Sequence, residues 1–232
     1  RLHWVHCART EKYTLVICHP KRGVKGMAAL GVIDAFTGVA VHDAWAPYDT
    51  YLGPGHQLCC AHVQRELQAV ADAAGPDGWC WADQAHQALI DLQLLVEDTI
   101  TAGREAIDAD ELATLISQLK SAALIGLNET SARTGMLMKK HHALARRLLE
   151  RQTDYLRFVS DWRVPPDNNG SERDIRMIKL RQKVSGCMRT LTGAKQFCAI
   201  RSYLSTAAKH GVNFFDALVQ LAEGRAWMPE TA

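Results

Sequence analysis

No run of roughly 18 apolar residues occurs in the 232-residue chain, so nothing in it reads as a membrane-spanning helix. The first residues, Arg1-Leu2-His3-Trp4, hold neither a start Met nor an apolar leader. That sets a secretory reading aside and leads us to expect a chain that begins inside a longer protein. Internal repeats and low-complexity tracts are missing too, which excludes solenoid arrays and disordered tails. The seven cysteines (Cys7, Cys18, Cys59, Cys60, Cys80, Cys187 and Cys198) are odd in number and lack the spacing of a disulfide framework, so reduced thiols in a cytoplasm are expected. What remains, 47% apolar and 22% charged residues, suffices for one large domain or one domain carrying an insertion.

A formal net charge of +2 hides a strong segregation. Residues 66–132 carry 2 Lys/Arg against 12 Asp/Glu, a net −10, whereas residues 133–209 carry 17 against 6, a net +11. A polyanion is attracted to the second stretch and repelled by the first, because neutralisation of phosphates by Lys and Arg supplies most sequence-independent DNA affinity. Two solvated helix faces would give the same counts.

Residues 2–7 and 13–19 are short, rich in β-branched and aromatic types, and separated by polar residues, which predicts an antiparallel hairpin. A helix is expected over residues 24–35, a brief strand over Val39-Ala40-Val41 ending at His42-Asp43, and another buried strand over residues 57–60. The following hundred residues repeat with a period near 3.5: Ala85, Leu89, Leu92 and Val96, then Leu112, Leu115 and Leu119, then Leu137, Leu144, Leu148 and Tyr155. They predict a helical bundle with turns at residues 75–78 and at Gly103, closed by Pro165-Pro166. Two further helices are expected over residues 195–210 and from an Asn213 cap to Ala222. Strands mixed with helices and interrupted by a bundle make this an α/β chain in three parts: 1–66, an all-helical insertion at 67–163, and 164–232.

Two places carry candidate chemistry. Asp43 follows the carboxyl end of a buried strand, where a carboxylate faces a cleft and suits Mg2+, a cation that takes hard oxygen ligands. A turn or cap residue is the alternative at such a position. In "PPDNNGSERDIRMIKLRQK" a helix is entered through Asn168, Asn169, Gly170 and Ser171, and Glu172 falls in its first turn. At 100° per residue Glu172, Arg176, Lys179 and Lys183 share one face, with Ile175 and Ile178 at its flank. A carboxylate among cations there can serve a metal and phosphates, or merely pair Glu172 with Arg176. Cys59 and His62 form a Cys-x-x-His spacing with Cys60 and Cys80 nearby, yet no second compact pair completes a zinc site, so a local structural role, or the orienting of a carboxylate or phosphate by His62, is expected instead.

The chain resembles the insertion-sequence-66 transposases over nearly its whole length. The likeness rests on Trp4-Val5-His6, the Lys21-Arg22-Gly23 turn, "FTG" followed by "H-D-x-W-x-x-Y" (Asp43, Trp45, Tyr48), "CCAHVQREL" from Cys59 to Leu67, and "DNNGSERDIR" from Asp167 to Arg176. The resemblance implies a ribonuclease H-like mixed sheet of the DDE class, with Asp43 as second aspartate and Glu172 as closing glutamate. Both would hold two divalent cations, Mg2+ or Mn2+, with Asn168 and Asn169 supporting the site. Family members carry the first aspartate in an Asp-Glu-Thr segment before the Trp-Val-His strand, so this stretch is expected to lack its first strand and, alone, to be inactive. DNA at element ends and target is the implied partner, contacted by Arg65, Arg173, Arg176, Lys179, Arg181 and Lys183. A homo-oligomer, no membrane, no small-molecule substrate, and a cytoplasmic, nucleoid-associated bacterial setting complete the expectation. Trp45 and Tyr48 are core residues or stacking platforms for an unpaired base. Two other readings remain: an inactive remnant serving as a DNA-binding or oligomerisation module, and a plain nuclease that cleaves without joining ends.

Overall fold

The computed structural model describes residues 3–75, 79–132, 134–184, 188 and 190–230, together with all their side chains except those of residues 179 and 181–184. The chain is mixed α/β and mostly helical, and it divides into two compact units built from interleaved segments. One unit comprises Arg1–Thr37, Trp45–Pro54 and Asn169–Ala232, the other Gly38–Ala44 and Gly55–Asn168. Among the described residues, the strands that were expected to share one mixed sheet form two separate two-stranded pairs, one in each unit.

In the first unit, β1 (Trp4–Arg9) and β2 (Thr14–His19) form an antiparallel hairpin in which Trp4 faces His19 and Arg9 faces Thr14. Alternation decides its two faces: Val5, Cys7, Val16 and Cys18 pack with Ile178, Ala194 and Cys198 of the helices α8 (Asn169–Val184) and α9 (Leu191–Lys209). On the opposite face buried His6 meets the short helix α1 (Val24–Ala28). Gly31 ends the helix expected over 24–35 early: its φ of +68° is left-handed, and only the single 3-10 turn Ile33–Ala35 follows.

The outer edge of β2 is closed by hydroxyls of α9, since Val16 N–H donates to Ser202 Oγ at 2.8 Å and Thr14 N–H to Thr206 Oγ1 at 3.1 Å. Leu15, Ile17 and His19 therefore turn their backbone toward β1, which leaves Val5, Cys7 and Arg9 pointing away from the hairpin. Among the described residues these three have no backbone hydrogen-bond partner. Helix α10 (Phe214–Ala222), capped by Asn213 Oδ1 accepting from Phe215 N–H, packs on α9 through Ala217.

In the second unit, β3 (Val39–His42) and β4 (Gly55–Leu58) pair in parallel, and the helices α2 (Cys60–Ala74), α3 (Trp81–Thr101), α4 (Ala109–Ser131) and α5 (Met136–Glu150) form the bundle. Two single turns, α6 (Gln152–Tyr155) and α7 (Arg157–Ser160), return the chain toward β4. Ala85, Leu89, Leu92, Val96, Leu119, Leu144, Leu148 and Tyr155 all lie in one core, as their spacing requires. Leu137 stays 55% exposed in the first turn of α5. Gln57 is fully buried and satisfied, its Nε2 donating to the carbonyls of Leu58 (2.8 Å) and Tyr155 (2.9 Å) while its Oε1 accepts from Phe158 N–H (3.0 Å). One amide thus fixes β4 to the turns that follow the bundle. The strand placed at 57–60 in the sequence begins and ends two residues earlier, because Cys59 already caps α2 and Cys60 opens it.

A candidate carboxylate site at the ends of the parallel strands

Parallel strands direct their carboxyl ends to one side, and in open α/β sheets ligands bind there. Asp43 is the first residue past β3 and is exposed. Ala44, directly after it, has a φ of +60°, a left-handed conformation that L-residues with a Cβ adopt at a cost on the order of 1 kcal/mol. Such an outlier beside an exposed carboxylate marks a place where the chain direction is held against local preference.

At the same end, Cys59 N–H donates to the His42 carbonyl at 2.8 Å, and Cys60 N–H to the Pro166 carbonyl at 2.8 Å. The segment after the prolines is thereby laid across the start of α2, where Asn168 N–H donates to Cys59 Sγ at 3.4 Å. Burial pushes the Cys59 thiol above its ordinary pKa; the N–H groups of Asn168 and His62 oppose the rise, and the charge of Asp167 adds to it. His62 N–H donates to the Cys59 carbonyl at 3.2 Å, and the Cys59 sulfur accepts from Asn168 N–H just before α8. Asn168 Oδ1 is a buried acceptor without a hydrogen-bond partner among the described residues. It is a hard oxygen of the kind Mg2+ or its bound water uses. Arg65 is exposed on α2 with its Nε bonded to the Ala61 carbonyl at 3.0 Å.

Glu172 lies in the first turn of α8 and is half-buried, while Asn169, Arg173 and Arg176 are exposed. The side chains of Lys179, Arg181 and Lys183 lie outside the described residues. What fixes the rotation of α8 is an acid that sequence reasoning missed. Asp174 is paired with Arg9 at 3.5 Å and accepts from Ser205 Oγ (3.3 Å) and Thr14 Oγ1 (3.4 Å). With Ile178 one turn on and buried, Asp174 faces the hairpin, so Glu172, about 200° away around the helix, does not share that face. The available signal was the i,i+4 spacing of Asp174 and Ile178, which puts an acid on the apolar stripe.

Asp43 belongs to the bundle unit and Glu172 to the hairpin unit. Among the described residues no group of three or more His, Cys, Asp or Glu side chains is gathered closely enough to hold a metal ion. The Asp43 carboxylate and the Asn168 Oδ1 fit a hard divalent cation in kind. Among the described residues no helix is long and apolar enough to cross a membrane.

A family model described as "Transposase IS66 family" matches residues 1–196. No curated protein and no solved structure matches the chain.

Proposed function

The chain belongs to the IS66 family of transposases, and from that premise we propose that it is the catalytic part of a DDE-class enzyme that hydrolyses and joins DNA at the ends of an insertion sequence. One observation carries the reading: an exposed aspartate directly past a half-buried parallel strand, in the motif where the family resemblance puts the second acid. In this reading Asp43 and Glu172 are the second and third acids, with Asn168 and Asn169 in support. Asp43 and Glu172, with a further carboxylate, would hold Mg2+ or Mn2+, whose positive charge would supply activation of an attacking oxygen and stabilisation of a leaving one. The chain's own share is positional. Asp174 sets the rotation of α8 and with it Glu172, while Arg65, Arg173 and Arg176, joined by Lys179, Arg181 and Lys183, meet DNA phosphates.

The ribonuclease H-like core is part of the same proposal, with residues 67–163 as its insertion and the first acid on a strand that precedes Trp4. The edge of β1 supports this, because Val5, Cys7 and Arg9 offer backbone groups that a further strand can take. An inactive remnant that binds DNA or oligomerises is the second reading.

The deciding experiment assays the full-length parent protein with Mg2+ on DNA carrying element ends. Asp43→Asn and Glu172→Gln each abolish hydrolysis and end joining while duplex affinity stays near that of the parent. End joining at the parent rate by Glu172→Ala would remove this residue from the site. A parent protein that neither cuts nor joins supports the remnant, and one that cuts without joining is a plain nuclease.

A further inference from the structure

Three motif residues with no part in the proposed chemistry, Trp4, Arg22 and Trp45, meet in the hairpin unit. The Arg22 guanidinium carbon lies 4.4 Å from the centroid of the Trp45 ring and 5.2 Å from that of Trp4, inside the range of about 6 Å over which an indole attracts a cation. Trp4 is 40% exposed. Lys21, Arg22 and Lys25 are exposed as well, and among the described residues none of the three has a carboxylate partner. No Asp or Glu occurs in the sequence between Glu11 and Asp34.

The turn that carries Arg22 is fixed from several sides. His6 Nε2–H donates to the Lys21 carbonyl at 3.0 Å, and Lys21 N–H donates to His19 Nδ1 at 3.1 Å. Gly26 approaches so closely that an added Cβ would sit 2.2 Å from the Lys21 carbonyl oxygen. Tyr51 O–H donates to the Val24 carbonyl at 3.3 Å, fastening the segment that bears Trp45 to α1. A guanidinium packed against indole keeps its N–H edge available for a phosphate, and it loses little freedom on binding because its position is already set.

We propose that Trp4, Arg22 and Trp45 form a clamp for an unpaired nucleotide of a DNA strand, the base stacking on Trp4 and the phosphate meeting Arg22 with Lys21 and Lys25 beside it. The inference rests on the transposase reading for its ligand, and of the three residues Trp45 stands two positions along the chain from Asp43. An exposed indole favours an unpaired nucleotide over a closed duplex, since a base in a helix has no free face to offer.

The test uses the 232-residue chain and two fluorescent DNAs, a blunt duplex and the same duplex with a short unpaired tail. The unaltered chain binds the tailed DNA more tightly; Trp4→Ala lowers that affinity about tenfold and leaves blunt-duplex affinity unchanged, whereas Trp4→Phe keeps the preference. Arg22→Gln reduces the slope of log affinity against log salt on tailed DNA by about 1. Thermal unfolding midpoints confirm that each variant is folded. A tail preference that survives in folded Trp4→Ala overturns the clamp and leaves the transposase reading standing. Absence of binding to either DNA counts against both. If a polyglutamate peptide displaced tailed DNA through a Trp4-dependent site and bound there more tightly, the surface would be assigned to an acidic protein partner and the proposal would fall.

Discussion

His6 is a hydrogen-bond donor and a buried titratable group at once. Burial lowers its pKa below the ordinary 6.5; its bond to the Lys21 carbonyl resists that shift, and the neighbouring charges of His19 and Arg22 reinforce it. An unfolded chain therefore takes up this proton at a higher pH than the folded one, and stability rises with pH through the interval between the two pKa values. The contribution is complete above 6.5 and is lost as pH falls below 6.5 through the folded value. Urea unfolding at pH 7.5 and 5.5 checks this: the unaltered chain loses stability on acidification, and His6→Gln loses less. Equal losses would show that His6 does not carry the effect. At the same scale, the positions of Asp43 past a strand and of Glu172 in the first turn of a helix were legible, because each stands in a recognisable local frame. The partners of Asp174 were not, since Arg9 and Thr14 come from the hairpin and Ser205 from α9, both far from it in sequence; the spacing to Ile178 gives only the face it lies on.

Helices α3 and α4 meet at a point where volume overrides propensity. Gly126 is buried in the middle of α4, and a Cβ added there would lie 2.3 to 2.6 Å from ring atoms of Trp81 on α3. Alanine is the better helix former by about 1 kcal/mol, yet overpacking a filled interface costs about 1–3 kcal/mol. Gly126→Ala is thus expected to lower stability in chemical denaturation by roughly 1 kcal/mol or more. An increase in stability would mean that Trp81 moves aside without cost. This interface also shows what a sequence yields at the scale of elements. The apolar period of α3, α4 and α5 marks long helices well, the Gly103 turn marks the end of α3, and the Asn213 cap marks the start of α10. Short elements were harder. Gly31 closed α1 after five residues, and the register of β4 was decided by Gln57 bonding to Tyr155 and Phe158, a contact across a hundred residues that no local pattern contains.

At the scale of the whole molecule, the sequence motifs and the family match agree on what the chain is, whereas its two units are each assembled from segments far apart in sequence. Composition spreads the charge as unevenly as the fold spreads the chain, with the acidic stretch 66–132 falling almost wholly in α2, α3 and α4 and the basic stretch running on from α5. If DNA binds through the basic stretch, affinity must fall with salt, because each neutralised phosphate releases condensed counterions. Arg173 and Arg176 are exposed on α8, and Arg65 is the exposed cation of α2 nearest the strand ends. Replacing Arg173, Arg176 or Arg65 singly by Gln is expected to lower the slope of log affinity against log salt by about 1 for each true phosphate contact, with little change in sequence preference. Lys120→Gln, in the acidic bundle, leaves the slope unchanged and serves as the internal control. A residue whose loss leaves the slope untouched makes no phosphate contact. Should none of the three arginines alter it, the charge segregation reflects solvated helix faces, and the DNA-binding surface must be sought elsewhere on the chain.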